Sequence, residues 1–264
     1  MDFAGLSATG PVRTENQDAI LVPETTLPGT PHFLAALADG MGGYAWGDVA
    51  SKLAISVFQQ TLIDLRGETL EKSMRRAIEL ANLQVLKTGR ELEVGRMGTT
   101  LTCACIAGDQ LYIAHLGDSR AYLFHQDRLQ CLTNDHTLVG DMLRARVIGP
   151  DKVRTHEQRS ILTKAVGLEI FVNADISRHK LAAGDRLILC SDGLWSVIED
   201  HEIAQLASAG QSTQALAQDL LDLSLSRASD DNCSVVVADI RMVRSNPAST
   251  QQTTRRGWLG FFER

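Results

Sequence analysis

TTLTCACIAGDQLYIAHLGDSRAYLFHQDRLQCL, residues 99–132, is the stretch that decides the fold. Four short apolar runs (99–107, 111–116, 121–124 and 129–132) are separated by Gly108-Asp109, Gly117-Asp118 and Gln126-Asp127. Runs of this length bounded by turn residues read as strands, and together they predict an antiparallel meander. Cys103 and Cys105 alternate along the first run and so share one face of it.

Upstream, residues 3–8, 19–22 and 33–38 are also strand-like, with a turn at Gly10-Pro11 and a Pro/Gly-rich loop over 23–31. The period then changes. Val49, Leu53, Val57 and Phe58 recur at helical spacing, and Leu70, Met74, Ala77, Ile78, Ala81 and Val85 form a second helical stripe. Downstream, 137–145 predicts a short helix and 147–158 a polar loop. Residues 175–181 and 185–190 predict strands around Ala182-Ala183-Gly184, 202–207 and 213–225 predict helices, and 235–240 a last strand. Runs of strands beside runs of helices define an α+β class with antiparallel sheets and helices packed outside. There is no internal repeat. Residues 241–264 differ in composition and read as a flexible extension with an apolar end, Trp258-Leu259-Gly260-Phe261-Phe262.

The chain of 264 residues is 44% hydrophobic, ample for a core in one large domain or two small ones. A net charge of -6 argues against nucleic acid as a partner, because phosphate-backbone affinity rests on Lys and Arg clusters. It is compatible with binding divalent cations. Met1-Asp2-Phe3-Ala4-Gly5 has no basic start and no apolar core of a signal peptide. No apolar stretch approaches the ~18 residues of a membrane span. None of the five cysteines forms a C-x-x-C pair, so buried reduced thiols and a cytoplasmic location are expected.

The chemistry is suggested by aspartates at strand ends. Residues 33–38 end in Asp39-Gly40-Met41-Gly42-Gly43; Asp118 follows 111–116, Asp192 follows 187–190, and Asp231 precedes 233–238. A single Asp-Gly is also a common turn. Several carboxylates converging on one sheet edge instead suit hard cations, Mg²⁺ or Mn²⁺. No His/Cys spacing offers a zinc site. Two such ions about 4 Å apart can clamp an in-line phosphoryl displacement. Arg13, just before Glu15-Asn16-Gln17-Asp18, is the candidate to hold the phosphate, since a guanidinium binds it bidentately.

These segments, in order, resemble the metal-dependent type 2C serine/threonine protein phosphatases, and more narrowly their compact bacterial members. The resemblance covers residues 1–240. It is carried by Arg13-Thr14-Glu15-Asn16-Gln17-Asp18-Ala19, Ala38-Asp39-Gly40-Met41-Gly42-Gly43, Gly98-Thr99-Thr100, Gly117-Asp118-Ser119-Arg120-Ala121, Asp135-His136-Thr137, Leu162-Thr163-Lys164-Ala165-Val166-Gly167, Cys190-Ser191-Asp192-Gly193-Leu194-Trp195 and Asp230-Asp231-Asn232. It implies a four-layer α-β-β-α sandwich, with two central antiparallel sheets and helices on both outer faces.

The resemblance also implies a site. Asp39 bridges two Mg²⁺ or Mn²⁺ ions, the Gly40 carbonyl binds one, and Asp192 and Asp231 complete the other. Asp118 with Asp192 holds a third, weaker ion, Asp18 binds through water, and Arg13 holds the substrate phosphate. Residues from about 138 to 159 match the family's flap. The implied activity is hydrolysis of protein phosphoserine and phosphothreonine by a bridging hydroxide, opposing a bacterial Ser/Thr kinase, in a monomer. Eukaryotic relatives often carry a His acid two residues after the bridging aspartate. Met41 stands there and donates no proton, so the resemblance leaves the general acid unassigned, with a metal-bound water the first candidate.

Other assignments stay open beside this one. A phosphoprotein-binding regulator without turnover would be expected to have lost the bridging aspartate, and Asp39 is present. Small phosphorylated metabolites are a further substrate class. A Ca²⁺-binding module would need EF-hand spacing, which is missing. No cysteine opens a C-x₅-R signature and there is no D-x-D signature, which removes two other phosphatase chemistries. His115 and His136 are expected to be structural, and Gly98-Thr99-Thr100 reads as a turn into a strand. Arg144, Arg146, Lys152, Arg154 and Arg159 form either a solvated loop or a patch that steers acidic substrates. The aromatic tail end could meet a partner or an anionic surface, or fold back on the domain.

Overall fold

The computed structural model describes residues 1–28, 30, 32–41, 46–65, 68–94, 97–227 and 229–241. Gly42, Gly43 and the extension from 242 onward, including Trp258–Phe262, lie outside the described residues.

Eleven strands form two antiparallel sheets among the described residues. The first contains β1 (Asp2–Ala8), β11 (Cys233–Asp239), β10 (Arg186–Cys190), β7 (Arg120–His125) and β8 (Arg128–Cys131), in that order. The second contains β2 (Asp18–Leu21), β3 (His32–Met41), β5 (Leu101–Ala107), β6 (Gln110–Leu116) and β9 (Asp175–Lys180), with the two-residue β4 (Gly98–Thr99) beside the end of β3. The helices α1 (Trp46–Asp64) and α2 (Leu70–Glu91) cover the second sheet. The short α4 (Asp192–Trp195), α5 (Asp200–Ser208) and α6 (Thr213–Ser226) cover the first. The short α3 (Leu138–Arg144) is capped by the Thr137 hydroxyl, which accepts from the Gly140 amide at 2.9 Å.

The expected four-layer order is therefore present, and side-chain alternation builds it. Along β3, Leu34, Ala36 and Ala38 join α1 and α2 in one apolar cluster, while Ala35 and Leu37 face the other sheet. Along β10, Ile188 and Cys190 meet α5 and α6, while Leu187 and Leu189 point between the sheets. Strands covered on both faces read as unbroken apolar runs, which is why those segments stand out in the sequence. All five cysteines are free and only Cys131 is partly exposed; Cys103 and Cys105 share the α-helical face as expected.

Two expectations need correction. The meander breaks in the middle: β5 pairs with β6 and β7 with β8, but β6 and β7 lie in different sheets. Gly117, at φ +116, turns the chain across rather than back. Gln126-Asp127, at φ 48 and 60, is by contrast a true hairpin turn. The strands expected on either side of Ala182-Ala183-Gly184 are present, and this turn too passes the chain from one sheet to the other. Finally, β3 does not stop at Ala38. It continues through Asp39, Gly40 and Met41, because β4 gives Gly40 and Met41 strand partners in Thr99 and Gly98.

Candidate active site

One end of the sandwich collects the carboxylates. The register of β2 and β3 sets Asp18 directly opposite Asp39. On the facing sheet, β10 ends at Cys190 and Asp192 opens α4 just beyond it, a helical turn not foreseen from the sequence. The neighbouring β11 begins two residues after Asp231. Asp118 lies in the crossing from β6 to β7, where the chain leaves one sheet for the other. Antiparallel pairing puts the end of one strand beside the start of the next, so these five residues meet although they span most of the sequence. Asp39, Gly40, Met41, Asp118, Asp192 and Asp231 line a cleft of about 610 Å³ with Arg13. Asp18 is buried beside them.

Like charges directly opposite in a sheet are destabilising, and burial adds to the cost. Burial first, then the fields of Asp18, Asp192, Asp118 and Asp231, holds the Asp39 carboxyl well above the usual range. Asp18 is pushed up to about 7 by burial, against the hydroxyl of Ser234, which donates to its Oδ2 at 2.6 Å. Asp192 is pushed up to about 6, by burial and then by Asp231. Asp118 is raised by burial and then by Asp192. Arg13 is the cation at this rim. It donates to Asp231 Oδ2 at 2.7 Å, and its side chain is 54% exposed.

The turn reading of Gly98-Thr99-Thr100 missed a function in positioning Asp39. The Asp39 amide donates to Thr100 Oγ1 at 2.9 Å, and the Asp39 carbonyl accepts from the Thr99 hydroxyl at 2.9 Å and the Thr100 amide at 2.8 Å. Thr100 Oγ1 also meets the Ser119 hydroxyl at 2.8 Å, next to Asp118. The two threonines side by side were the available signal.

Gly40 is fixed by close approach. A Cβ there would overlap the carbonyl oxygens of Gly47 in α1 and Gln17. Its amide also donates to Gln17 at 3.2 Å. Both obstacles are main chain, so Gly40→Ala is expected to destabilise the protein by about 2–3 kcal/mol. In a thermal melt that is a fall of roughly 5–10 °C. An unchanged midpoint would refute the crowding.

The two histidines are structural, as expected. His115 Nε2 donates to the Asn134 carbonyl at 3.1 Å, so its Nδ1 accepts from Thr102 at 2.9 Å, and burial pushes its pKa down to about 4. It stacks on His136, whose Nδ1 accepts from the Gly117 amide at 3.1 Å. The basic residues of 144–159 are mostly neutralised in place. Arg144 pairs with Asp141, Lys152 with Asp151, Arg154 with Glu199 and Asp200, and Arg159 with Asp230. That favours the solvated, internally paired loop over a free steering patch.

Hard cations fit this donor set. Among buried side-chain atoms without a hydrogen bond, Asp18 Oδ1 and Asp192 Oδ1 both belong to the cluster. Among the described residues no three Asp, Glu, His or Cys side chains are drawn up closely enough to hold one ion alone. Ions here would need main-chain carbonyls and water as well, the usual habit of Mg²⁺.

Carboxylates gathered at one end of a two-sheet sandwich beside an arginine form a set of groups suited to hard cations and a phosphate. The chain belongs to the protein phosphatase 2C family, a class of serine/threonine protein phosphatases, whose sequence model matches residues 5–233. It is 35% identical over 240 residues to the serine/threonine protein phosphatase PstP of Mycobacterium tuberculosis, covering 90% of this chain but only 45% of that protein's length. To the serine/threonine phosphatase Stp of Listeria welshimeri it is 33% identical over 216 residues, covering 80% of this chain and 86% of that one. A crystal structure of the PstP catalytic domain in complex with two manganese ions superposes with a TM-score of 0.79, at 32% identity, over 91% of this chain and 98% of that one.

Proposed function

We propose that this chain hydrolyses phosphoserine and phosphothreonine in protein substrates at the carboxylate cleft, using Mg²⁺ or Mn²⁺. The observation that carries this is the meeting of Asp39, Asp118, Asp192, Asp231 and Gly40 in one cleft with Arg13 at its rim. The two manganese ions of the PstP catalytic domain support the choice of metal. When bound, a pair of such ions supplies a hydroxide nucleophile at neutral pH and offsets charge on the transferring group. Asp39, the Gly40 carbonyl, Asp192 and Asp231 would hold the pair, with Asp39 shared between the two ions. Asp118 with Asp192 would hold a third, weaker ion, and Asp18 would hold metal-bound water. Arg13, half exposed, exchanges Asp231 for the substrate phosphate. Met41 lines the cleft but carries no proton, so the leaving alkoxide is protonated from water.

The protein substrates are targets of a bacterial Ser/Thr kinase, or the kinase itself, and the protein works in the cytoplasm as a monomer. No helix among the described residues is long and apolar enough to cross a membrane.

The test is hydrolysis of a phosphothreonine peptide and an aryl phosphate with and without Mn²⁺. Manganese-dependent turnover that EDTA abolishes is expected. Turnover without metal would overturn the two-ion assignment. Peptide binding without turnover would favour the phosphoprotein-binding regulator. Arg13→Ala should raise KM by about tenfold or more, since one charge-assisted contact contributes roughly 1.5–3 kcal/mol. An unchanged KM would remove Arg13 from phosphate binding.

A further inference from the structure

Asn232 follows Asp231 and is buried. Its side chain serves the loop that carries Arg13 rather than its own strand. Oδ1 accepts from the Gln17 amide at 2.9 Å, and Nδ2 donates to the Thr9 carbonyl at 2.7 Å and the Glu15 carbonyl at 3.0 Å. Arg13 lies between the two carbonyls. From Gly10 to Glu15, the main chain makes no other hydrogen bond with the described residues. Gly10, at φ +77, packs so closely that a Cβ would overlap the Asp231 carbonyl. The far end of the loop is held independently: the Gln17 carbonyl accepts from the Gly40 amide and the Ser51 hydroxyl.

We propose that Asn232 is a positioning residue for phosphate recognition. It suspends the Arg13 loop from the strand end that bears Asp231, so the guanidinium and that carboxylate keep one register. The inference rests on Arg13 being the phosphate partner, as proposed above. The site needs one acceptor and two donors from a single short side chain, which only an amide provides. Aspartate would turn a charged oxygen toward two carbonyls, and serine would reach too few partners.

The experiment uses the full chain loaded with Mn²⁺, as Asn232→Asp, Asn232→Ser, Arg13→Ala and the Arg13→Ala/Asn232→Asp double variant. Three quantities are read: the inhibition constant of inorganic phosphate, KM and kcat for an aryl phosphate, and Mn²⁺ binding by calorimetry. Arg13→Ala and Asn232→Asp should each raise the phosphate constant by about tenfold. The double variant should be no worse than Arg13→Ala, because residues acting through one contact are not additive. Mn²⁺ affinity should fall far less than phosphate affinity in Asn232→Ser, which adds no charge beside Asp231. A phosphate constant unmoved by Asn232→Asp but raised by Arg13→Ala would overturn the inference alone. So would additive losses. An Arg13→Ala protein with parental phosphate affinity would overturn Arg13's role and this inference with it. If Asn232→Asp does not fold, Asn232→Ser, which adds no charge, carries the same comparison.

Discussion

Asp39→Asn should lower manganese-dependent hydrolysis by about 10³-fold or more, while the metal-free protein melts no lower than the parent. The two halves have one cause. Asp39 is where the second sheet meets the cluster, opposite Asp18 and within the fields of Asp192, Asp118 and Asp231. An amide there cannot bridge two cations as a carboxylate does, and several kcal/mol of charge stabilisation lost from the transition state amounts to about three powers of ten. The same amide removes one of five crowded acidic groups and keeps the side-chain shape. The main chain at residue 39 stays clamped by Thr99 and Thr100. Stability held back by a functional cluster is then released. A steady-state assay with Mn²⁺ and a melt in EDTA measure the two halves. An inactive variant that also melts several degrees lower would mean a damaged fold. A variant with parental activity would remove Asp39 from the centre.

Much of this architecture is legible in the sequence, and what is not legible there has one physical origin. Strand and helix identities follow from local periodicity, which is why β3, β5, β6, β10 and both long helices stand where the apolar pattern puts them. Sheet membership does not follow from periodicity. Gly117-Asp118 and Gln126-Asp127 look alike as turn signals, yet one crosses between sheets and the other closes a hairpin. Where a strand such as β5 or β10 is apolar on both faces, nothing local says which sheet it joins. The crossing at Asp118 is nonetheless what delivers a carboxylate to the cleft. The aspartates and Arg13 were visible as charged residues at strand ends, and the family resemblance gave them roles. Thr100, Thr99 and Asn232 stand in quoted motifs but gain no role from the sequence, because their work is hydrogen bonding to main chain 61, 60 or more than 200 residues away. Such partners become visible only once the strands are paired.

The metal-free protein should be more stable at pH 6.5 than at pH 8, and Mn²⁺ should abolish that difference while raising the melting point at both. The sign follows from the folded pKa values. Asp18 at about 7 and Asp192 at about 6 stand above their ordinary value of 3.8. The fold therefore binds more protons than the unfolded chain over that window. Stability falls as pH rises through it and levels off above the folded values. Between pH 6.5 and 8 these two groups together contribute about 1 kcal/mol, or roughly 2–4 °C for a chain of this size. The histidines act in the opposite sense. His115, held at about 4 against an ordinary 6.5, must charge on unfolding, so acidification below 6.5 costs stability there. Above pH 6.5 the unfolded His115 is still partly charged and takes back about 0.4 kcal/mol across the window, while Asp39 and Asp118, also held well above 3.8 by burial, add to the carboxylate side and keep its sign. Saturating cation at about 100 times its dissociation constant adds about 2.7 kcal/mol, or roughly 5–10 °C. It also keeps the carboxylates ionised on both sides of the comparison, which removes the slope. Melts at the two pH values, in EDTA and in Mn²⁺, decide the matter. A metal-free protein that loses stability from pH 8 to 6.5 would mean the cluster is not protonated in the fold. A fall in stability toward pH 8 that survives Mn²⁺ would mean the ion binds elsewhere than at Asp39 and Asp192.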